Sequence, residues 1–294
     1  MLRRSGYQGS GIASAVGRVE RSTRLAPVTL QGLLVFTVKP IIVSPSGRLE
    51  RGPEDRVIVS CGVESVYPER FTSMRAACDH WCSGCWRVYY TDYPDGCPRQ
   101  AEHKYAFKIF AIREAEALGF RRILWLDAGM SPVGSTAPLW QCVNDAGWYV
   151  GYQDAERTGD GLGKLGNWCS DAALAVYGIS REEALGVPLV RSGIVGLDLD
   201  HPLGAAIWKG WQDLYERGAF NGHHNNVPGS SRETPAASMK TSGHVSFDPR
   251  VRGHRHDESA LAFVLHSLGL KPQNRGFLTL ESKQTGFLRH WEAG

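Results

Sequence analysis

Three short apolar runs constrain the fold most: VIVSC at 57–61, WRVYY at 86–90 and RILWL at 122–126. Each is rich in β-branched or aromatic residues and too short to be a buried helix. Helical spacing fills the gaps between them. Residues 68–83 open with Pro68, suited to a first helical turn, and place Phe71, Met74, Cys78 and Trp81 on one face. Residues 101–118 have the pattern of a strong helix, closed by Gly119. Parallel strands need long crossovers, usually helical, so this alternation predicts an α/β fold. The expected architecture is a mostly parallel, mixed central sheet flanked by helices. Further on, PLWQCVNDAG reads as a short helix, WYVGY as a strand, 192–199 as a strand and 203–217 as a helix. A last helix over ESALAFVLHSLG has Asp257 as its candidate cap.

Composition divides the chain unequally. Residues 1–55 are expected to form a flexible basic arm, with five arginines and one acid in the first 24 residues and an accessory strand within 33–43. Pro40 argues against a central strand there. Residues 56–294 are expected to form one domain, with enough apolar chain (42% hydrophobic overall) for a sizeable core. A net charge of +3 does not by itself point to a polyanionic partner. No apolar run reaches the roughly 18 residues that a membrane span needs. Seven cysteines, an odd count, with no leader pattern ahead of them, suggest reduced thiols and a cytoplasmic setting.

Asp127 stands where the RILWL run ends. Parallel α/β sheets bind ligands beyond the carboxyl ends of their strands, so a carboxylate there is a candidate ligand contact or a turn cap. Asp257 is placed either to cap its helix or to point into the same crevice. Asp154, after WYVGY, is a second candidate for acceptor contact or general base. Ser192 and Gly193 would let a ligand approach the backbone closely. His254 and His256 put two imidazoles on one side of an extended segment, which suits a metal or a structural role. Cys78, Cys82, Cys85 and Cys97 fall within twenty residues, and Cys82-x-x-Cys85 has the spacing of a zinc knuckle. The alternative function is therefore a non-enzymatic, zinc-stabilised interaction module. Against it, Cys78 and Cys82 also fit core positions one helical turn apart.

Three stretches in order carry a family resemblance. HKYAFKIFAIREAEALGFRRILWLDAG (103–129) resembles the central segment of nucleotide-sugar glycosyltransferases of the GT-A fold, where a Lys-bearing helix precedes a strand ending in Asp-x-Asp. RSGIVGLDLD (191–200) resembles the later strand segment of the glycogenin-like and related galactosyltransferase families. GHRHDESALAFVLHSLGL (253–270) resembles their Asp-Gln element opening a helix. The likeness spans roughly residues 56–292. Four positions depart from it: Gly129 stands in place of the second aspartate, Arg191 and Ser192 replace an Asn-containing pair, and Glu258 replaces Gln.

The resemblance implies a nucleotide-sugar transferase with a nucleotide-sugar donor, for instance a UDP-sugar, and a manganese or magnesium ion. It implies Lys108, and less directly Lys104, as diphosphate contacts. Asp127 becomes a metal or ribose contact, with Ser192 and Gly193 at the donor sugar and Asp257 near the reactive face. A histidine near the C-terminus completes the metal site in such families, which makes His290 a candidate beside His256. The acceptor stays open among sugars, protein hydroxyls, lipids and modified nucleobases, with Trp168, Trp208 and Trp211 as candidate stacking surfaces and His223 and His224 in a candidate lid.

Overall fold

The protein is described from a computed structural model, over residues 39–45, 55–63, 68–152, 163–227, 242–273, 278–280 and 288–290. Its strands and helices run β1 (Ile41–Val43), β2 (Arg56–Cys61), α1 (Pro68–Trp81), β3 (Trp86–Tyr90), α2 (Ala106–Ala117), β4 (Arg122–Leu126), β5 (Met130–Pro132), α3 (Ala137–Ala146) and β6 (Trp148–Tyr152). They continue as α4 (Asp171–Tyr177), α5 (Arg181–Gly186), β7 (Val190–Asp198), α6 (Pro202–Glu216), β8 (Asn225–Asn226), β9 (Ser242–Gly243), α7 (His256–Ser267), β10 (Leu278–Leu280) and β11 (Leu288–His290).

The main sheet has the order β1-β3-β2-β4-β7-β6. The three apolar runs of the sequence are its centre, with β2 parallel to both β3 and β4. β7 lies antiparallel between β4 and β6, and β1 closes the far edge antiparallel to β3. Thus β2, β3, β4 and β6 share one direction, and β1 and β7 oppose it. The architecture is the mixed, mostly parallel α/β sheet expected from the sequence.

Strand alternation splits the core into two. Val57, Val59, Trp86, Val88, Ile123 and Trp125 face one cluster, which includes Ile109 and Ile112 of α2, Ile207 and Trp211 of α6, and Leu261 and Leu265 of α7. Ile58, Tyr89, Leu124 and Leu126 face the other, which includes Phe71, Met74 and Cys78 of α1 and Leu139 and Val143 of α3. The sheet is therefore sandwiched, and its central strands are buried on both faces, which explains why they read as continuous apolar runs.

Two helix boundaries differ from expectation. α2 starts at Ala106 rather than near 101, because Tyr105 takes a left-handed conformation (φ 58°) and its N–H goes to the side chain of Gln100. α7 starts at His256, so Asp257 lies inside the first turn and is not the cap. Its carboxylate is taken by other partners, described below.

Gly204, in the first turn of α6, is in contact with backbone on two sides. A Cβ there would fall 2.1 Å from the Asp198 carbonyl oxygen and 2.4 Å from that of Gly147. Alanine normally favours a helix over glycine by up to about 1 kcal/mol. Here the backbone would have to move, as in an overpacked core, at about 1–3 kcal/mol. Gly204→Ala should therefore lower the melting temperature; an unchanged or raised value would contradict the close helix–strand contact.

Candidate functional site

The site forms where β4 ends and β7 begins. Because β7 runs antiparallel to β4, its first residues lie beside the last of β4, with Leu126 opposite Ile194. The Asp127 N–H donates to the Gly193 carbonyl at 2.9 Å, extending the ladder by one step beyond the strand. Gly193 keeps this approach open: a Cβ there would lie 3.2 Å from Asp127 Oδ2 and 2.7 Å from the Met130 methyl. The first turns of α2 and α7 converge on the same place, bringing Lys108 and Asp257.

Lys108 is 1% exposed. Its Nζ lies 2.7 Å from Asp257 Oδ2, 2.9 Å from Asp127 Oδ1 and 2.9 Å from Ser192 Oγ. An ammonium has three protons to donate, and these three partners, with the Ser192 carbonyl at 3.3 Å, account for all of them. The Ser192 hydroxyl in turn donates to Asp257 Oδ2. Trp125 Nε1 donates to Asp127 Oδ1 at 2.7 Å, and Trp211 Nε1 to the Asp257 carbonyl at 3.1 Å. Burial by itself pulls the Lys108 pKa down, but the charges of Asp127 and then Asp257 outweigh it, so the ammonium is held protonated. Complete burial raises the Asp257 carboxyl above its ordinary range, against the pull of Lys108 and Ser192. Glu258, next along α7, is pushed up to about 7 by burial and by the Asp257 charge, with Lys108, Arg191 and Arg255 opposing.

Asp127, Lys108, Ser192, Gly193 and Asp257 thus come together as one centre. The other named histidines and tryptophans whose side chains are described do not join it. His254 and His256 are both fully buried and turn their rings to main-chain oxygens: His254 Nε2 is 2.9 Å from the Ala219 carbonyl, and His256 Nδ1 is 2.9 Å from that of Phe220. Burial lowers the pKa of both, that of His254 to about 4, so they pack as neutral rings. Trp208 and Trp211 are 3% and 0% exposed and cannot serve as stacking platforms. Trp168 lies under the Arg255 guanidinium at 3.9 Å, and His224 is buried beside it while His223 is half-buried. Asp154 falls outside the described residues. For His290 only the backbone is described, with β11 pairing it to Met130.

A divalent cation finds an incomplete set among the described residues. Asp127 Oδ1 is already taken by Lys108 and Trp125, which leaves Oδ2. No group of three His, Cys, Asp or Glu side chains there is placed to hold an ion. The four thiols do not converge either. Cys78 Sγ faces Met74 Sδ at 3.4 Å, Cys82 Sγ faces Thr136 Oγ1 at 3.6 Å, and Cys97 packs against the core on the opposite face of the sheet.

Two contributors were not singled out from the sequence. Trp125 is two residues before Asp127, and the strand period of two puts both on one face, so its indole N–H was a readable partner. Gln100, which sets the start of α2 through Tyr105, has no such signal.

No protein-family model and no curated protein matches the chain. Glycosyltransferases are among the solved structures that superpose on it. Mouse xyloside xylosyltransferase 1 covers 81% of this chain and 97% of its own, at 9% identity and a TM-score of 0.42. LgtC covers 81% of this chain and 88% of its own, at 11% identity and a TM-score of 0.39. A glycosyltransferase involved in glycosylation of the major capsid of PBCV-1 covers 53% of this chain and 66% of its own, at 13% identity and a TM-score of 0.33. Superpositions at these values assign the chain to no family.

Removing Lys108 tests the centre directly. Lys108→Met fills the space but leaves Asp257 buried without its counter-charge, which typically costs about 3–5 kcal/mol. The loss should be full at neutral pH. It should shrink as the pH falls and Asp257 takes up a proton, since the neutral acid needs no counter-charge. The wild-type ammonium contributes equally throughout, because its raised pKa lies far above this range. Melting curves at pH 7.5 and pH 5 would check this; equal losses at both would show that the Asp257 charge is not the cause.

Proposed function

We propose that this centre binds a nucleotide sugar and transfers its glycosyl group to an acceptor hydroxyl. The supporting observation is the convergence of Asp127, Ser192 and Asp257 on the buried Lys108 ammonium. They come from the three separate stretches whose sequences resemble donor-site motifs. Their exposures support different tasks. The side chains of Lys108 and Asp257 are 2% and 3% exposed, and that of Asp127 is 35% exposed. Asp127 is therefore the group that meets a ligand, and the other two hold it in place. With its three protons already directed at protein oxygens, Lys108 orients the two acids rather than gripping a phosphate.

In the transfer, the bond from the anomeric carbon to the diphosphate oxygen breaks and a bond to the acceptor oxygen forms. The nucleoside diphosphate leaves with the bonding electrons, and the acceptor's proton passes to its departing oxygen or to solvent. Positive charge grows on the sugar ring, and carboxylates fixed in advance favour that charge without reorganising. Asp127 is the ligand-facing carboxylate, and Asp257 behind it adds its field and fixes Ser192. For a divalent cation, Asp127 Oδ2 is one available donor, and His290, whose backbone on β11 pairs with Met130 of β5, supports a second. The acceptor class stays within sugars, protein hydroxyls, lipids and modified nucleobases. Among the described residues no helix is long and apolar enough to cross a membrane.

Asp127→Asn tests the reading. The amide oxygen can still accept from Trp125 and Lys108, so the fold should hold, but the charge is gone. Loss of one such stabilising group at the barrier should cost on the order of a hundredfold in rate. Turnover of nucleotide sugar and melting temperature are measured on the same preparation, with and without chelator. A large loss of turnover at nearly unchanged melting supports the reading. Unchanged turnover would return Asp127 to a turn-capping role.

A further inference from the structure

Among the described residues only two other than glycine have positive φ: Tyr105 at 58° and His256 at 41°. They stand at the starts of α2 and α7, the helices that carry Lys108 and Asp257. Their rings touch, with centroids 5.7 Å apart and planes at 36°. Such conformations persist in L-residues only where surrounding contacts hold them, and they concentrate at functional sites.

The surrounding contacts are present on both sides. The Tyr105 N–H donates to Gln100 Oε1 at 2.7 Å, and the Gln100 N–H to Tyr93 Oη at 2.9 Å. His256 is held by the Phe220 carbonyl and stacks on His224 with centroids 5.5 Å apart. Arg255 Nη1 reaches His224 Nε2 at 2.8 Å from behind. The Lys108 ammonium lies over the Tyr105 ring, 5.5 Å from its centroid.

We propose that the Tyr105–His256 contact is a clasp that positions the site: it fixes the start of α2 against the start of α7 and so sets the Lys108–Asp257 ion pair. The two are positioning residues, acting through Lys108. The inference rests on the functional reading of that centre, but its test needs no donor or acceptor. Asparagine tolerates the left-handed backbone and lacks the ring, so Tyr105→Asn and His256→Asn open the clasp without new backbone strain. Tyr105→Phe keeps the ring and serves as the rescue. Val264→Ala, further along α7, is a control that loosens packing elsewhere.

The readout is reductive methylation of Lys108 under native conditions, followed by peptide mass spectrometry. In the wild type this amine is sequestered and should label slowly. The asparagine variants should label at least tenfold faster, while Tyr105→Phe and Val264→Ala stay at the wild-type rate. Wild-type protection of Lys108 in Tyr105→Asn overturns the clasp, as does equal labelling in Val264→Ala. Tyr105 is half-buried at a helix end, so Tyr105→Asn decides alone where His256→Asn, in the core, does not fold. Fast labelling in a protein that turns over no nucleotide sugar would keep the clasp and count against the proposed reaction instead.

Discussion

An ammonium removed from water must be repaid by nearby negative charge, or it loses its proton. Lys108 meets that requirement with Asp127 and Asp257, and this one constraint organises the surrounding structure. β4 must end where it does for Asp127 to reach Nζ. β7 must run antiparallel for Ser192 and Gly193 to lie beside it. α2 and α7 must begin together for the lysine to meet its second acid. Each acid then sits at a strand end or in a first helical turn, where the helix N-terminus of α7 adds a favourable field for Asp257.

The sheet was legible because its central strands are buried on both faces. The apolar side chains of VIVSC, WRVYY and RILWL alternate between the two core clusters, and only Ser60, Arg87 and Arg122 interrupt them. Asp127 was legible for the converse reason: it is the first residue past that exclusion. The roles were less visible. Asp257 was expected either to cap its helix or to point into the crevice; the helix already begins at His256, and the carboxylate serves Lys108 across the fold. The His-x-His pair was open to a metal or a structural role, and its spacing cannot reveal that Ala219 and Phe220 offer carbonyls inside the core. Trp208 and Trp211 fell on the buried face of α6. These outcomes depend on which segments meet, and a single sequence holds that information only where a pattern such as Trp125-x-Asp127 makes it local.

Charge limits what the centre can do alone. One ammonium against two carboxylates leaves it net negative, and Glu258, titrating near 7, adds to that as the pH rises. A donor diphosphate would then need positive charge from outside the trio. Arg191 and Arg255 are near enough to act on Glu258, and a divalent cation at Asp127 is the other source. In the proposed reaction the trio would hold carboxylates for a cationic transition state, and one of these two sources would meet the phosphates.

The most direct measurement is the thermal shift of the intact protein with a panel of nucleotide sugars, each with and without manganese. A ligand present at 100 times its dissociation constant adds about 2.7 kcal/mol to stability, a rise of several degrees for a domain of this size. The account predicts that at least one nucleotide sugar gives such a rise, and that Lys108→Met abolishes the rise relative to its own unliganded melting. A panel in which no nucleotide sugar shifts the wild type, with or without the metal, would contradict it.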